Sequence, residues 1–101
     1  MYELVWDEAA KAELAALGSF QRRIIVRTVE SQLRHQPSLE TRNRKPLREP
    51  LEDLPAASWE LRVREHRVLY WIADRRTVTI LRVILKATAS LTEALGRDRQ
   101  Q

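Results

Sequence analysis

Arginine recurs at positions 62, 64 and 67 within WELRVREHRVLYW, residues 59–71, and again at position 82. A guanidinium offers a fixed fork of N–H donors, which suits it to phosphate and carboxylate oxygens. A second cationic run, TRNRKPLR at residues 41–48, adds Arg42, Arg44, Lys45 and Arg48 with no acid among them. Other chemistries have little to draw on. The chain has no cysteine, and its two histidines, His35 and His66, lie far apart with no carboxylate pattern around them, so no metal centre is expected. No glycine-rich phosphate loop, paired catalytic carboxylates or Ser/His/Asp set is visible, and no cofactor is expected.

The elements that must position these cations follow from patterning. Tyr2 to Trp6 alternates as a strand, Asp7 can cap a short Ala-rich helix from Glu8 to Leu17, and Gly18 can end it. Ser19 can cap a second helix from about Phe20 to His35, with Phe20, Ile24, Leu33 and the Ile25/Val29 pair at helical spacing. Residues 36–57 hold all four prolines and keep no period, which predicts a long loop with room for a turn of helix. Three strands follow, at about 59–63, 66–72 and 77–85, and a short C-terminal helix around Ala89 to Leu95 that Ser90 and Glu93 could box. The order βααβββα predicts an α+β fold in one domain, residues 1–101, with the N-terminal strand and helical hairpin packed on a small antiparallel sheet.

Composition narrows the class of partner. With 44% hydrophobic and 32% charged residues the chain has the profile of a folded protein, and its net charge is +4. Residues 1–18 carry four acids against one lysine, whereas residues 58–86 carry six arginines and a lysine against three acids, so the hairpin half is the basic half. An anionic partner is favoured only if the fold gathers these cations. The N-terminus lacks a signal-peptide pattern and no apolar run is long enough to span a bilayer, which predicts a cytoplasmic protein without membrane contact.

A two-residue turn at Arg64-Glu65 would place Val63 opposite His66, Leu61 opposite Val68, Trp59 opposite Tyr70, and Arg62 opposite Arg67. A second turn centred on Asp74-Arg75 would place Tyr70 opposite Thr79, Val68 opposite Leu81, His66 opposite Val83, and Arg67 opposite Arg82. One face then holds Trp59, Leu61, Val63, Val68, Tyr70, Ile72, Leu81, Val83 and Leu85 as core, and the other holds Arg62, Arg67 and Arg82 in a row across three strands. Like charges directly opposite cost about 0.2–1 kcal/mol per pair, so the row reads as an anion site or, alternatively, as a solvated face. Leu69, Trp71, Ile80 and Ile84 share the arginine face, which implies a cover: the last helix or a bound partner. Trp71 could stack on a base, lie under a partner's side chain or pack on the last helix. The 41–48 cations could grip phosphates or form a solvated run. His66 reads as a strand residue near a core edge, with acid/base work as the other option, and His35 as a helix-end dipole partner.

The phrases Trp59-Glu60-Leu61-Arg62-Val63, Arg67-Val68-Leu69-Tyr70 and Val78-Thr79-Ile80-Leu81-Arg82-Val83, with RNRKPL before them, resemble the RelE/ParE superfamily of type II toxin–antitoxin toxins across nearly the whole chain. That resemblance implies a toxin neutralised by a cognate antitoxin in a hetero-oligomer. In the RelE branch the toxin cuts mRNA in the ribosomal A site without a metal, using basic residues; in the ParE branch the fold inhibits DNA gyrase. A degenerate toxin kept as an antitoxin-binding or repressor subunit is a third option. The resemblance assigns catalytic positions to Arg62 and Arg67; Lys86 could serve as the acid if its pKa were lowered, and Arg42, Arg44, Lys45, Arg48, Arg64, Trp71 and Arg82 are the cations and aromatic that would contact RNA on that reading. Three positions depart from the pattern: Glu60 for a lysine, Ala87 for an arginine and Glu93 near an expected tyrosine.

Overall fold

The structure, a computed structural model, describes residues 1–74 and 76–85; Lys86, Ala87, Glu93 and the expected last helix lie outside the described residues. Strand β1 (Glu3–Trp6) leads into α1 (Glu8–Ala15), where Asp7 holds an extended backbone and its carboxylate accepts the Ala9 N–H at 3.3 Å. Helix α2 (Ser19–Leu33) starts one residue earlier than its pattern suggests. Gly18, not Ser19, is the N-cap, and no side chain caps the helix. Ile25, Val29 and Leu33, one helical step apart, form its buried stripe.

The remaining strands are β2 (Arg44–Pro46), β3 (Trp59–Val63), β4 (His66–Ile72) and β5 (Thr77–Leu85). The last three have the expected bounds and pair antiparallel. The sheet order is β1-β5-β4-β3-β2, which brings two corrections. Strand β1 joins the edge of β5 in parallel, so the sheet is mixed; parallel neighbours need a long crossover, here everything between the two strands. The proline-rich stretch also contributes β2, which pairs with β3 through Arg44–Leu61, Lys45–Glu60 and Pro46–Trp59. Three residues are too few to display a period. Pro46 is tolerated because β2 is an edge strand.

Each face of the sheet has its own apolar cluster. On one side Leu61, Val63, Val68, Tyr70, Val78, Ile80 and Val83 pack against Ala10, Leu14, Ile25, Val29 and Leu33 of the two helices. Trp59 stacks on Tyr70 with ring centroids 6.2 Å apart, and the Tyr70 hydroxyl donates to the Pro37 carbonyl at 2.6 Å. Burial pushes that phenol well above its ordinary pKa, so it remains a donor. On the other side Leu69 and Ile84 are buried under Leu51 and Ala57, with Leu47, Leu54 and Leu81 around them. The loop between β2 and β3 is therefore a cover for the arginine face. Ile80 moves to the helix-side core and Leu81 to the loop-side cluster, opposite to the sequence expectation, and Leu85 is exposed rather than core.

Candidate functional site

The first hairpin closes through Arg64-Glu65 in the expected register: Val63 opposite His66, Arg62 opposite Arg67, Leu61 opposite Val68, and Trp59 opposite Tyr70. The turn needs a left-handed residue, and Arg64 supplies it with φ of 57° although glycine or asparagine would do so at less cost. Arg62 and Arg67 thus meet directly across two strands. Arg67 is 8% exposed, and its Nη1 donates to the carbonyls of Arg64 at 3.1 Å and His66 at 3.0 Å. Burial lowers its pKa, the Arg62 charge lowers it further, and Glu60 opposes both. Arg62 is exposed, and its backbone N–H donates to the Asn43 carbonyl at 2.6 Å. One guanidinium is fixed against backbone and the other reaches outward.

The third member of the expected row is elsewhere. From the turn onward the β4–β5 pairing is one residue out of the expected register, so that Tyr70 faces Ile80, and a bulge at Leu69/Tyr70 adds a second residue, so that Leu69 faces Arg82, Val68 faces Val83, and Arg67 faces Ile84. Arg82 instead donates through Nη2 to Glu13 of α1 at 2.6 Å and through Nε at 3.0 Å. Glu13 also accepts the Val83 backbone N–H at 2.8 Å, which satisfies β5 at its edge beyond the reach of β1. Arg82 is a structural ion-pair partner.

Arg44 departs from expectation in the same way. It is 4% exposed, donating through Nε to the Leu39 carbonyl at 2.6 Å and through Nη1 to the Gln32 carbonyl at 2.6 Å and Gln32 Oε1 at 3.2 Å. It satisfies a carbonyl in the last turn of α2, where the helix has no donor of its own to offer. It is removed from any surface role. Arg64 separates from Arg62 as well: its guanidinium lies 5.8 Å from the centre of the Phe20 ring at the start of α2. Arg42, Lys45 and Arg48 are exposed, and Trp71, 36% exposed, pairs with Thr79. Glu60 lies opposite Lys45 on one side and Leu69 on the other, with its Oε2 buried and without a hydrogen-bond partner.

His66 is buried, and its loss of hydration lowers its pKa, with Arg67 adding to the effect and Glu65 opposing it. His35 is exposed just beyond the end of α2. Beside His66, between α2 and the β3–β4 turn, is a cleft of roughly 270 Å³ whose walls include Ile24, Ile25 and Val63. Sequence reading missed it, and it missed Phe20 as a surface residue, because helical spacing placed Phe20 with the core. Among the described residues no cluster of His, Cys, Asp or Glu could hold a metal ion. No described helix is long and apolar enough to cross a membrane.

A helical hairpin packed on one face of a five-stranded mixed sheet is the fold this chain shares with RelE-like toxins. Residues 4–89 match the family model for the ParE toxin of type II toxin–antitoxin systems, parDE, and the chain belongs to that family, within the RelE/ParE superfamily. A chain of the RelBE2 toxin–antitoxin complex from Mycobacterium tuberculosis is 30% identical with a TM-score of 0.65, over 81% of this chain and 94% of that one. The isolated RelE toxin of E. coli is 25% identical with a TM-score of 0.65, each chain being fully covered at 100%. The YoeB/ParE toxin from Agrobacterium tumefaciens shares the fold, with 16% identity and a TM-score of 0.62 over 86% of this chain and 100% of that one. No curated protein shows significant similarity. The protein is a toxin of a type II toxin–antitoxin system, and toxin–antitoxin complexes among its structural relatives support an antitoxin partner.

Proposed function

We propose that this toxin arrests translation by cleaving mRNA on the ribosome, as one cytoplasmic domain without a cofactor. The observation that carries the reading is the direct opposition of Arg62 and Arg67. Two like charges in that position disfavour the free protein by about 0.2–1 kcal/mol, and an RNA phosphate between them would reverse the sign. Arg67, fixed by two carbonyls, would orient the phosphate, and Arg62 would stabilise the charge that builds as the neighbouring 2′-hydroxyl gives its proton to water and attacks phosphorus, breaking the bond to the 5′-oxygen. Arg42, Lys45, Arg48 and Trp71 are the exposed groups available to hold the flanking strand. Lys86 is the proposed donor of a proton to the leaving 5′-oxygen.

A second reading, non-enzymatic inhibition of DNA gyrase, is favoured by the commitment of Arg44 and Arg82 to structural bonds, which leaves the arginine face a smaller site than an elaborate nuclease centre. The two readings separate on induction without antitoxin, with amino-acid and thymidine incorporation followed in the same cells. Early collapse of protein synthesis, new 5′ ends in mRNA, and loss of both in Arg62→Ala with Arg67→Ala are the expected results. Collapse of thymidine incorporation first, with intact mRNA, replaces the nuclease by the gyrase inhibitor. Undiminished arrest by the double variant removes the arginine pair from the site.

A further inference from the structure

The toxin has a second cationic surface, around α2, that the arginine pair does not explain. Phe20, Arg23 and Arg27 recur at three- and four-residue spacing along one stripe of α2, and all three are exposed. Phe20 is 63% exposed, an unusual setting for a phenylalanine, and Arg64 reaches over its ring from the β3–β4 turn. Arg23 and Arg27 stand one helical turn apart, a spacing at which like charges destabilise a helix. The nearest acid along the helix, Glu30, gives both carboxylate oxygens to Arg34. Among the described residues none of Arg23, Arg27 and Arg64 has a carboxylate within ion-pair distance.

The cleft beside this stripe has one apolar wall, with Gln21 among the polar groups that complete it. Ile24, Ile25 and Val63 form that wall with His66, whose imidazole burial keeps neutral near pH 7, and Arg64 and Glu65 stand at the rim. A hollow of side-chain size with an apolar wall, one arginine at its rim and an exposed aromatic ring beside it, has the anatomy of a protein–protein hot spot. A nucleic-acid backbone would use the arginines and leave the hollow unfilled. We infer that this corner is a docking site for an acidic segment of the cognate antitoxin, with one apolar side chain of that segment seated between α2 and the β3–β4 turn and its carboxylates against Arg23, Arg27 and Arg64. Charge complementarity selects the occupant: three cations that no acid among the described residues pairs call for a partner that brings its own. The site needs only the antitoxin partnership and not the mRNA-cleavage reading.

The test is calorimetric titration of the full-length toxin with the protein encoded beside it, the two being purified as a complex, separated and remixed. Arg23→Glu with Arg27→Glu should weaken binding by about tenfold or more, with most of the salt dependence lost. Phe20→Ala should weaken it by about threefold, as the loss of an exposed aromatic anchor. Arg62→Ala, on the opposite face, should stay within about twofold of wild type, whatever it does to growth arrest. If the glutamate pair lowers the thermal midpoint, the glutamine pair at the same positions carries the measurement. An affinity within about twofold of wild type for the folded double variant overturns the proposal. So does failure of the neighbouring protein to bind wild type, or a loss confined to ribosomal RNA binding, which would make the patch a nucleic-acid surface. None of these readouts involves cleavage, so failure here leaves the mRNA reading standing.

Discussion

On the helix side of the sheet, Leu61, Val68, Tyr70 and Ile80 are fully buried beneath two helices whose apolar stripes were spaced to meet them, whereas on the other side Leu69 and Ile84 lie under an irregular loop. The first face is covered by periodic structure with its backbone bonds satisfied internally. The second is covered by Leu47, Leu51, Leu54 and Ala57, from a segment held by a few turn bonds such as Leu54 N–H to the Leu51 carbonyl at 3.1 Å. Stability is concentrated on one side, which frees the other to carry opposed arginines that lower it. In a toxin, a face that tolerates unfavourable charge is where an anionic target can be recognised.

Truncation on the two faces tests this division first. Leu61→Ala should cost toward the upper part of about 2–5 kcal/mol in denaturant unfolding, and Leu51→Ala toward the lower end, because a loop can collapse into the space. Equal costs would break the comparison. Arg44→Ala should cost about 1–3 kcal/mol by leaving the Leu39 and Gln32 carbonyls without their donor, and Arg44→Lys should restore only part of it, since an ammonium cannot reproduce the fork. That loss would appear in stability before any change in RNA affinity.

Arg62→Ala should act in the opposite sense. Removing the charge facing Arg67 should leave stability unchanged or raise it by up to about 1 kcal/mol while growth arrest is lost, and a destabilised variant would mean the pair is structural. The smallest effect concerns His66. Its folded-state pKa lies below the ordinary value, so the unfolded chain binds the proton first as pH falls. Stability should therefore be constant above about pH 7 and decline as the pH falls below about 6.5, a slope that His66→Gln abolishes. An unchanged slope in that variant would show that the cleft wall is hydrated.

How far the chain could be read without coordinates varied with the distance over which each feature acts. The β3–β4 register, including the arginine pair, followed from alternation and a two-residue turn only a few positions away. The β4–β5 register did not follow: the connection is one residue longer than expected, so Tyr70 faces Ile80 and not Thr79, and a bulge at Leu69/Tyr70 adds a second offset that places Arg82 opposite Leu69 and not Arg67. Nothing in the local pattern marks that bulge. Arg44 looked like its neighbours Arg42, Lys45 and Arg48, because a run of cations gives no sign of which member meets a helix end.

The sequence by itself determined four of the five strands, the helical hairpin, the first register and the family, since each depends on spacing within a few residues or on the order of such segments. Only the tertiary structure decided that β1 lies parallel to β5, that the proline-rich loop covers Leu69, and that Glu13 takes Arg82 from a position 69 residues away. The physical reason is the same in each case. Periodicity records which side of an element is apolar, while the partner of a charge or an edge is set by which distant segments the core brings together.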